Sequence, residues 1–190
     1  DIMQAYEAGR NTSFSNKEMM VLVKHHMPEL FVSELEKLKR LASRLASGIM
    51  SRMALVCHGT QGHVERCEAM QEFADHYPYM QFIQLTDAQG KLVQAVVTDE
   101  KHAPKYGNLP DPGYDYSDRQ WFKEPMRDGE LHVTDVYQSQ YTGALILSVS
   151  QAVTDENDEI VGVLCGDIQI EELLKHSDDL EAEEKDMAAE

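Results

Sequence analysis

Two apolar runs near the carboxyl end constrain the fold more than any other feature. Leu145 to Val153 and Ile160 to Ile168 are separated by little more than Asp155-Glu156-Asn157-Asp158. A gap that short joins antiparallel neighbours; a parallel pair needs a crossover of a dozen or more residues. Within the first run Leu145, Leu147 and Val149 fall on one face, and Ala144, Ile146, Ser148 and Ser150 on the other. In the second run Val161, Val163, Cys165 and Asp167 share a face. Side chains alternate along a strand, so the pair presents one apolar face and one small, polar face that ends in a carboxylate. Such a face suits the floor of a lined pocket.

The remaining elements extend this sheet. Gln81 to Leu85 and Lys91 to Val97 read as strands joined by Asp87-Ala88-Gln89-Gly90, a hairpin with a glycine-bearing loop. Leu131 to Val136 supplies a fifth strand. Ahead of them, Asn16 caps a short helix through Met27, and Pro28 suits the first turn of another. From Glu29 to about Met53 the residues Phe31, Leu35, Leu38, Ala42, Leu45 and Ile49 recur at alternating steps of four and three. This stripe fits a dimerising helix or a helix packed on its own sheet. Cys57 to Gly62 reads as a turn and His63 to His76 as a second helix, ended by Pro78. His102 to Gly113 is a Pro- and Gly-rich loop; Ser117 or Asp118 then caps a short helix that Gly129 closes. A last helix starts at Glu171. The expected class is α+β, with a long N-terminal helix packed along a five-stranded antiparallel sheet.

Charge excludes some partners. The net charge is −17, and from Asp155 onward fourteen acidic residues face two basic ones. Phosphates would meet a repulsive field, so no nucleic-acid partner is expected. No apolar run approaches the ~20 residues of a membrane span, so no membrane segment is expected in this chain, and no signal peptide is visible. Asp178 to Glu190 has few apolar residues and is expected to be disordered. Three cysteines, Cys57, Cys67 and Cys165, make an odd count. That argues against a disulfide-built domain, although a Cys57–Cys67 pair stays open.

The chemistry concentrates in Tyr114 to Trp121, read YDYSDRQW, which holds the one tryptophan of the chain and Arg119. Aromatic walls, an arginine fork for a carboxylate and an aspartate for an ammonium are what a small zwitterion requires. The same residues read equally as two core aromatic rings and a surface ion pair. A rival site is Cys57, His58, His63 and Cys67, a possible zinc-ligand set whose spacing matches no finger pattern. His25-His26 is weaker still, because neighbours on a helix point apart. Asp167, His132 and Ser148 supply the residue types of a catalytic triad, with nothing in the sequence to bring them together. No G-x-S-x-G, Walker loop, H-E-x-x-H or haem-attachment motif is present, so neither an enzyme nor a cofactor is expected.

The phrases YSDRQWFKE, VTDVYQSQYTG and ILSVSQAVTDENDEIVGVLCGDI, with the hairpin QFIQLTDAQGKLVQAV, together resemble the Cache domain. This is the PAS-like sensor module of bacterial chemoreceptors and sensor kinases. The resemblance covers most of Glu29 to Glu172. It implies a domain organisation of an N-terminal helical extension over 1–28, a sensor domain over 29–176 and an acidic tail over 177–190. One subset of the family binds amino acids through a Tyr, Arg, Trp-Tyr, Tyr, Asp motif. Here Tyr114 lies five before Arg119, Trp121 two after it and Tyr137 eighteen after it, and Asp167 closes the set. The resemblance assigns the ligand carboxylate to Arg119 and Trp121, and its amino group to Tyr114, Tyr137 and Asp167. Phe122 stands where the motif has tyrosine, a departure that also admits another small carboxylate. The expected function is therefore a sensor of a small carboxylate, an amino acid first, that signals as a homodimer through the long helix. The alternative is a zinc-binding or purely structural dimerisation domain. The free thiols and the missing export signal favour a cytoplasmic setting, and a periplasmic one applies if the chain is an excerpt of a membrane receptor.

Overall fold

The computed structural model describes residues 28–59, 63–77, 80–97 and 110–175, together with His25. In chain order the elements are α1 (Pro28–Gly59), α2 (His63–His76), β1 (Met80–Asp87), β2 (Leu92–Val97), α3 (Gln120–Asp128), β3 (His132–Val133), β4 (Tyr137–Gln138), β5 (Leu145–Thr154), β6 (Ile160–Gln169) and α4 (Ile170–Lys175). The first 24 residues and those from 176 onward lie outside the described set, and with them the expected Asn16 helix and acidic tail.

The six strands form one antiparallel sheet in the order β2-β1-β6-β5-β3, with β4 also paired to β5. The fold thus mixes helices with an antiparallel sheet of five to six strands. One expected strand, Leu131 to Val136, is instead two short ones. Thr134 lies between them, and its Oγ1 accepts the Ser148 N–H at 2.9 Å, where a ladder would use a backbone carbonyl. The expected turn at Cys57 is also displaced, since α1 continues to Gly59. The short helix α3 begins after Arg119 with no side-chain cap, so neither Ser117 nor Asp118 caps it. Gly129 closes it in the left-handed conformation at φ 77°, its N–H donating to the Pro125 carbonyl.

The central strands β1, β6 and β5 give the sheet two unlike faces. One carries Ile83 and Leu85 (β1), Leu164 and Ile168 (β6), and Leu147, Val149 and Val153 (β5). Ala42, Ala46, Met50 and Met53 of α1 and Met70 and Ala74 of α2 are buried in the same cluster. Small residues at 42 and 46 let the helix approach closely, and the methionines fill what remains. Leu38 packs against this core as well. The side chains of Phe31, Leu45 and Ile49 lie outside the described residues, so the heptad stripe is seen only in part. Among the described residues no helix is long and apolar enough to cross a membrane.

The register fixes the second face. Ser148 and Phe82 both pair with Asp167, and Ser150 and Gln84 both pair with Cys165. Ile146, Ser148, Ser150, Cys165, Asp167, Phe82, Gln84 and Thr86 therefore share the face away from α1. Its outer end is closed by a second cluster of Leu92, Tyr116, Trp121, Phe122, Val163 and Cys165.

Candidate functional site

The stretch from Gly113 to Arg119 is held against the β1–β2 hairpin by backbone. The Leu92 N–H donates to the Tyr114 carbonyl at 2.8 Å, and the Tyr116 N–H donates to the Gly90 carbonyl at 2.8 Å. Lys91 adds an ion pair to Asp115 at 2.7 Å. Gly90 is required here: its φ is +79°, and a Cβ would lie 2.7 Å from the Ser117 backbone. This docking turns Tyr116 inward and Tyr114 outward. Tyr116 is buried, its ring 5.1 Å from Trp121, and its hydroxyl is 3.1 Å from that of Tyr141. Burial, then the Tyr141 bond, pushes the Tyr116 phenol well above its ordinary pKa.

A cavity of about 340 Å³ opens over the polar face between this stretch and the segment from Thr134 to Tyr141. Arg119, Trp121, Tyr137 and Asp167 line it, together with Gln84, Tyr116, Gln140 and Tyr141. Tyr114 does not line it. That residue is 45% exposed and rests on Tyr116 at 4.9 Å between ring centroids. Phe122 does not line it either, being buried in the cluster beneath Trp121.

At the floor, Asp167 Oδ1 accepts the Ser148 hydroxyl at 2.6 Å. That proton being committed, Tyr137 donates to Ser148 Oγ at 2.5 Å, with a longer contact to Asp167 at 3.5 Å. Cys165 Sγ lies 3.9 Å from the same Oδ1. Among the described residues no such contact falls on Oδ2. Tyr137 is 36% exposed as a residue, yet its hydroxyl is buried at the end of this chain.

Burial raises the Asp167 pKa to about 6, against the pull of the Ser148, Tyr137 and Cys165 hydrogen bonds and the positive charge of Arg119. The same burial, reinforced by the Asp167 charge, pushes the Tyr137 phenol and the Cys165 thiol upward. A thiol held neutral and buried is chemically inert. At the mouth, Arg119 is exposed; its Nη2 donates to Gln140 Oε1 at 3.3 Å, and it makes no ion pair among the described residues. A cation at the rim and a buried carboxylate on the floor thus share one aromatic-walled cavity.

The triad arrangement is not formed. Ser148 does meet Asp167, but His132 pairs with Asp128 at 2.8 Å on the sheet edge. The side chains of Cys57, His58, His63 and Cys67 lie outside the described residues. Of the residues that sequence reasoning missed, Gln84 had only a partial signal: it is one of several polar side chains in its strand, with Gln81 and Thr86. Tyr116 had none that separated it from Tyr114 two positions earlier.

The sheet thus packs one face on α1 and α2 and turns the other, with α3 at its edge, to an aromatic, charge-bearing cavity. The chain belongs to the methyl-accepting chemotaxis protein-like family of first PDC sensor domains, whose profile matches residues 68–175. A protein of Syntrophus aciditrophicus named citrate (Re)-synthase is 39% identical over 92% of this chain and 28% of its own length. The methyl-accepting chemotaxis protein McpA of Bacillus subtilis is 30% identical over 45% of this chain and 13% of its own. The chain thus spans less than a third of each of these relatives. Among solved structures, the ligand-binding domain of the Pseudomonas fluorescens chemoreceptor CtaA in complex with L-serine is similar at a TM-score of 0.54 and 19% identity. That match covers 80% of this chain and 63% of CtaA's. Likeness at that identity establishes the fold.

Proposed function

We propose that this sensor domain binds a small amino acid in the cavity over the polar face. The observation that carries the reading is the joint lining of one cavity by Arg119, Trp121, Tyr137 and Asp167. Arg119 takes the ligand carboxylate through its planar fork. Asp167 offers its unpartnered Oδ2 to the ammonium. Trp121, Tyr116 and Tyr137 exclude water and so strengthen both contacts. The amino-acid complexes of structural neighbours, with L-serine for CtaA and L-norvaline for the Campylobacter jejuni chemoreceptor Tlp3, support the ligand class. Tyr114 and Phe122 act in this reading as supports behind Tyr116 and Trp121, not as ligand contacts.

In the same reading the sensor domain spans 29–176, and α1 runs as one long helix along the sheet to the dimer partner. Light scattering that finds only monomer at high concentration contradicts that last element. We read the module as a sensor and not a catalyst, on the strength of its family; its relatives' parent proteins bear names as different as a chemotaxis receptor and a synthase. We assign this domain an extracellular or periplasmic setting on the strength of its chemoreceptor-like sensor family. The thiol argument for the cytoplasm loses force at Cys165, which is inert where it lies.

Thermal-shift measurement with the twenty common L-amino acids tests the ligand assignment, since a ligand that binds the folded state raises the melting temperature. Arg119→Ala should fold normally and lose about 2–5 kcal/mol of binding to each positive ligand, because it strands a carboxylate. No stabilisation by any of the twenty contradicts the assignment.

A further inference from the structure

Gln84 stands in the middle of β1, is 3% exposed and lines the cavity. Its side-chain Oε1 is buried and has no hydrogen-bond partner among the described residues. Ser150 Oγ on the same face also lacks a partner among the described residues, but Ser150 does not line the cavity. Thr86 exchanges hydrogen bonds with the Val163 backbone at 3.3 Å in each direction, and Ser148 serves Asp167. An orphaned buried carbonyl destabilises the unliganded fold, whereas an apolar side chain at the same place incurs no such cost. The cost is recovered when the amide, which lines the cavity, turns its carbonyl toward a donor there.

Position identifies the donor. Phe82 is the register partner of Asp167, and Gln84 that of Cys165, so Gln84 lies diagonally across from Asp167 on the same face. Ser148 and Tyr137 occupy the opposite flank of Asp167, toward β5. A primary ammonium has three N–H donors, and Asp167 has only Oδ2 uncommitted. The resemblance gave Tyr114 a share of the amino group, but Tyr114 does not line the cavity. A neutral amide also suits the place better than a second carboxylate, which would drive the Asp167 pKa higher still by like-charge repulsion.

We propose that Gln84 Oε1 accepts an N–H from the ligand's amino group, beside Asp167, so that the site selects primary amines over plain carboxylates. This rests on the amino-acid reading above and adds a contacting residue to it.

The test is calorimetric titration of wild type, Gln84→Met, Gln84→Glu and Arg119→Ala. The probes are whichever of the twenty L-amino acids bind, each beside its deaminated acid. Gln84→Met should weaken the amino acids about tenfold, the size of one lost buried hydrogen bond. It should leave the deaminated acids within about threefold and keep or raise the melting temperature of the unliganded protein. Gln84→Glu retains an acceptor, so it should keep the amino acids and reject the deaminated acids more strongly. Equal weakening of both probe classes by Gln84→Met, no weakening, or a lower unliganded melting temperature overturns the proposal. If Gln84→Met does not fold, Gln84→Glu decides: deaminated acids bound as well as by wild type overturn it. Failure of wild type to bind any amino acid overturns the reading beneath it. Loss on Arg119→Ala with none on Gln84→Met removes only Gln84.

Discussion

The two faces of the sheet are made from alternate residues of the same strands, yet they obey different rules. Toward α1 and α2, Leu147, Val149, Leu164 and Ile168 bury aliphatic surface with no polar group to satisfy. Toward the cavity, Ser148, Ser150, Gln84 and Asp167 are equally buried, and Gln84 Oε1 and Ser150 Oγ have no hydrogen-bond partner among the described residues. The first face is arranged for stability. The second holds a desolvated carboxylate and unpaired dipoles that a packed core would not retain. One strand can do both because its side-chain period is two.

The contrast is testable by substitutions on opposite faces of neighbouring strands. Leu147→Ala should cost about 2–5 kcal/mol of stability through transfer and cavity terms, with ligand affinity unchanged in the remaining folded protein. On the cavity face, Asp167→Asn should stabilise the unliganded protein. Asp167 has a folded pKa of about 6 against 3.8 for an ordinary aspartate. The folded state therefore holds the extra proton, and the contribution of this group to stability falls as pH rises from about 4 to 6. Over that span the loss is about 3 kcal/mol. Asparagine avoids it, so the gain should appear above pH 6 and vanish below pH 4. Denaturant melts at pH 3.5 and 7.5 measure both; a loss of stability at pH 7.5 would place Asp167 among the structural residues. Ser148→Ala should raise the Asp167 pKa further by removing its shortest hydrogen bond, at a cost of about 1 kcal/mol; carboxyl titration by NMR reads it. The smallest effect belongs to the surface. Lys39→Ala breaks the ion pair with Asp135 at 2.5 Å, and exposure of Asp135 limits the loss to less than about 1 kcal/mol.

The two faces were legible in the sequence because alternation is local. Leu145, Leu147 and Val149 and the opposed Ser148 and Ser150 follow from counting by two, and Asp167 follows from the next strand. Helix α2 was legible at both ends, His63 and His76. What escaped depends on distant contacts. Which of Tyr114 and Tyr116 turns inward is decided by the docking of their loop on Gly90 and Leu92, more than twenty residues away. The break in the expected Leu131 to Val136 strand follows from Thr134 bonding to Ser148 across the sheet. Arg119 as the residue before α3, and Gln84 as part of the cavity wall, likewise depend on packing that no periodicity encodes.

The central claim is that the cavity matches one cation and one anion to a zwitterion. Calorimetry at pH 7.5 on wild type and Asp167→Asn, with a bound amino acid and its deaminated acid, tests it most directly. Wild type should prefer the amino acid, and Asp167→Asn should lose that preference while holding or improving affinity for the deaminated acid, because a nearby negative charge is gone. An Asp167→Asn protein that binds the amino acid as tightly as wild type would contradict the account.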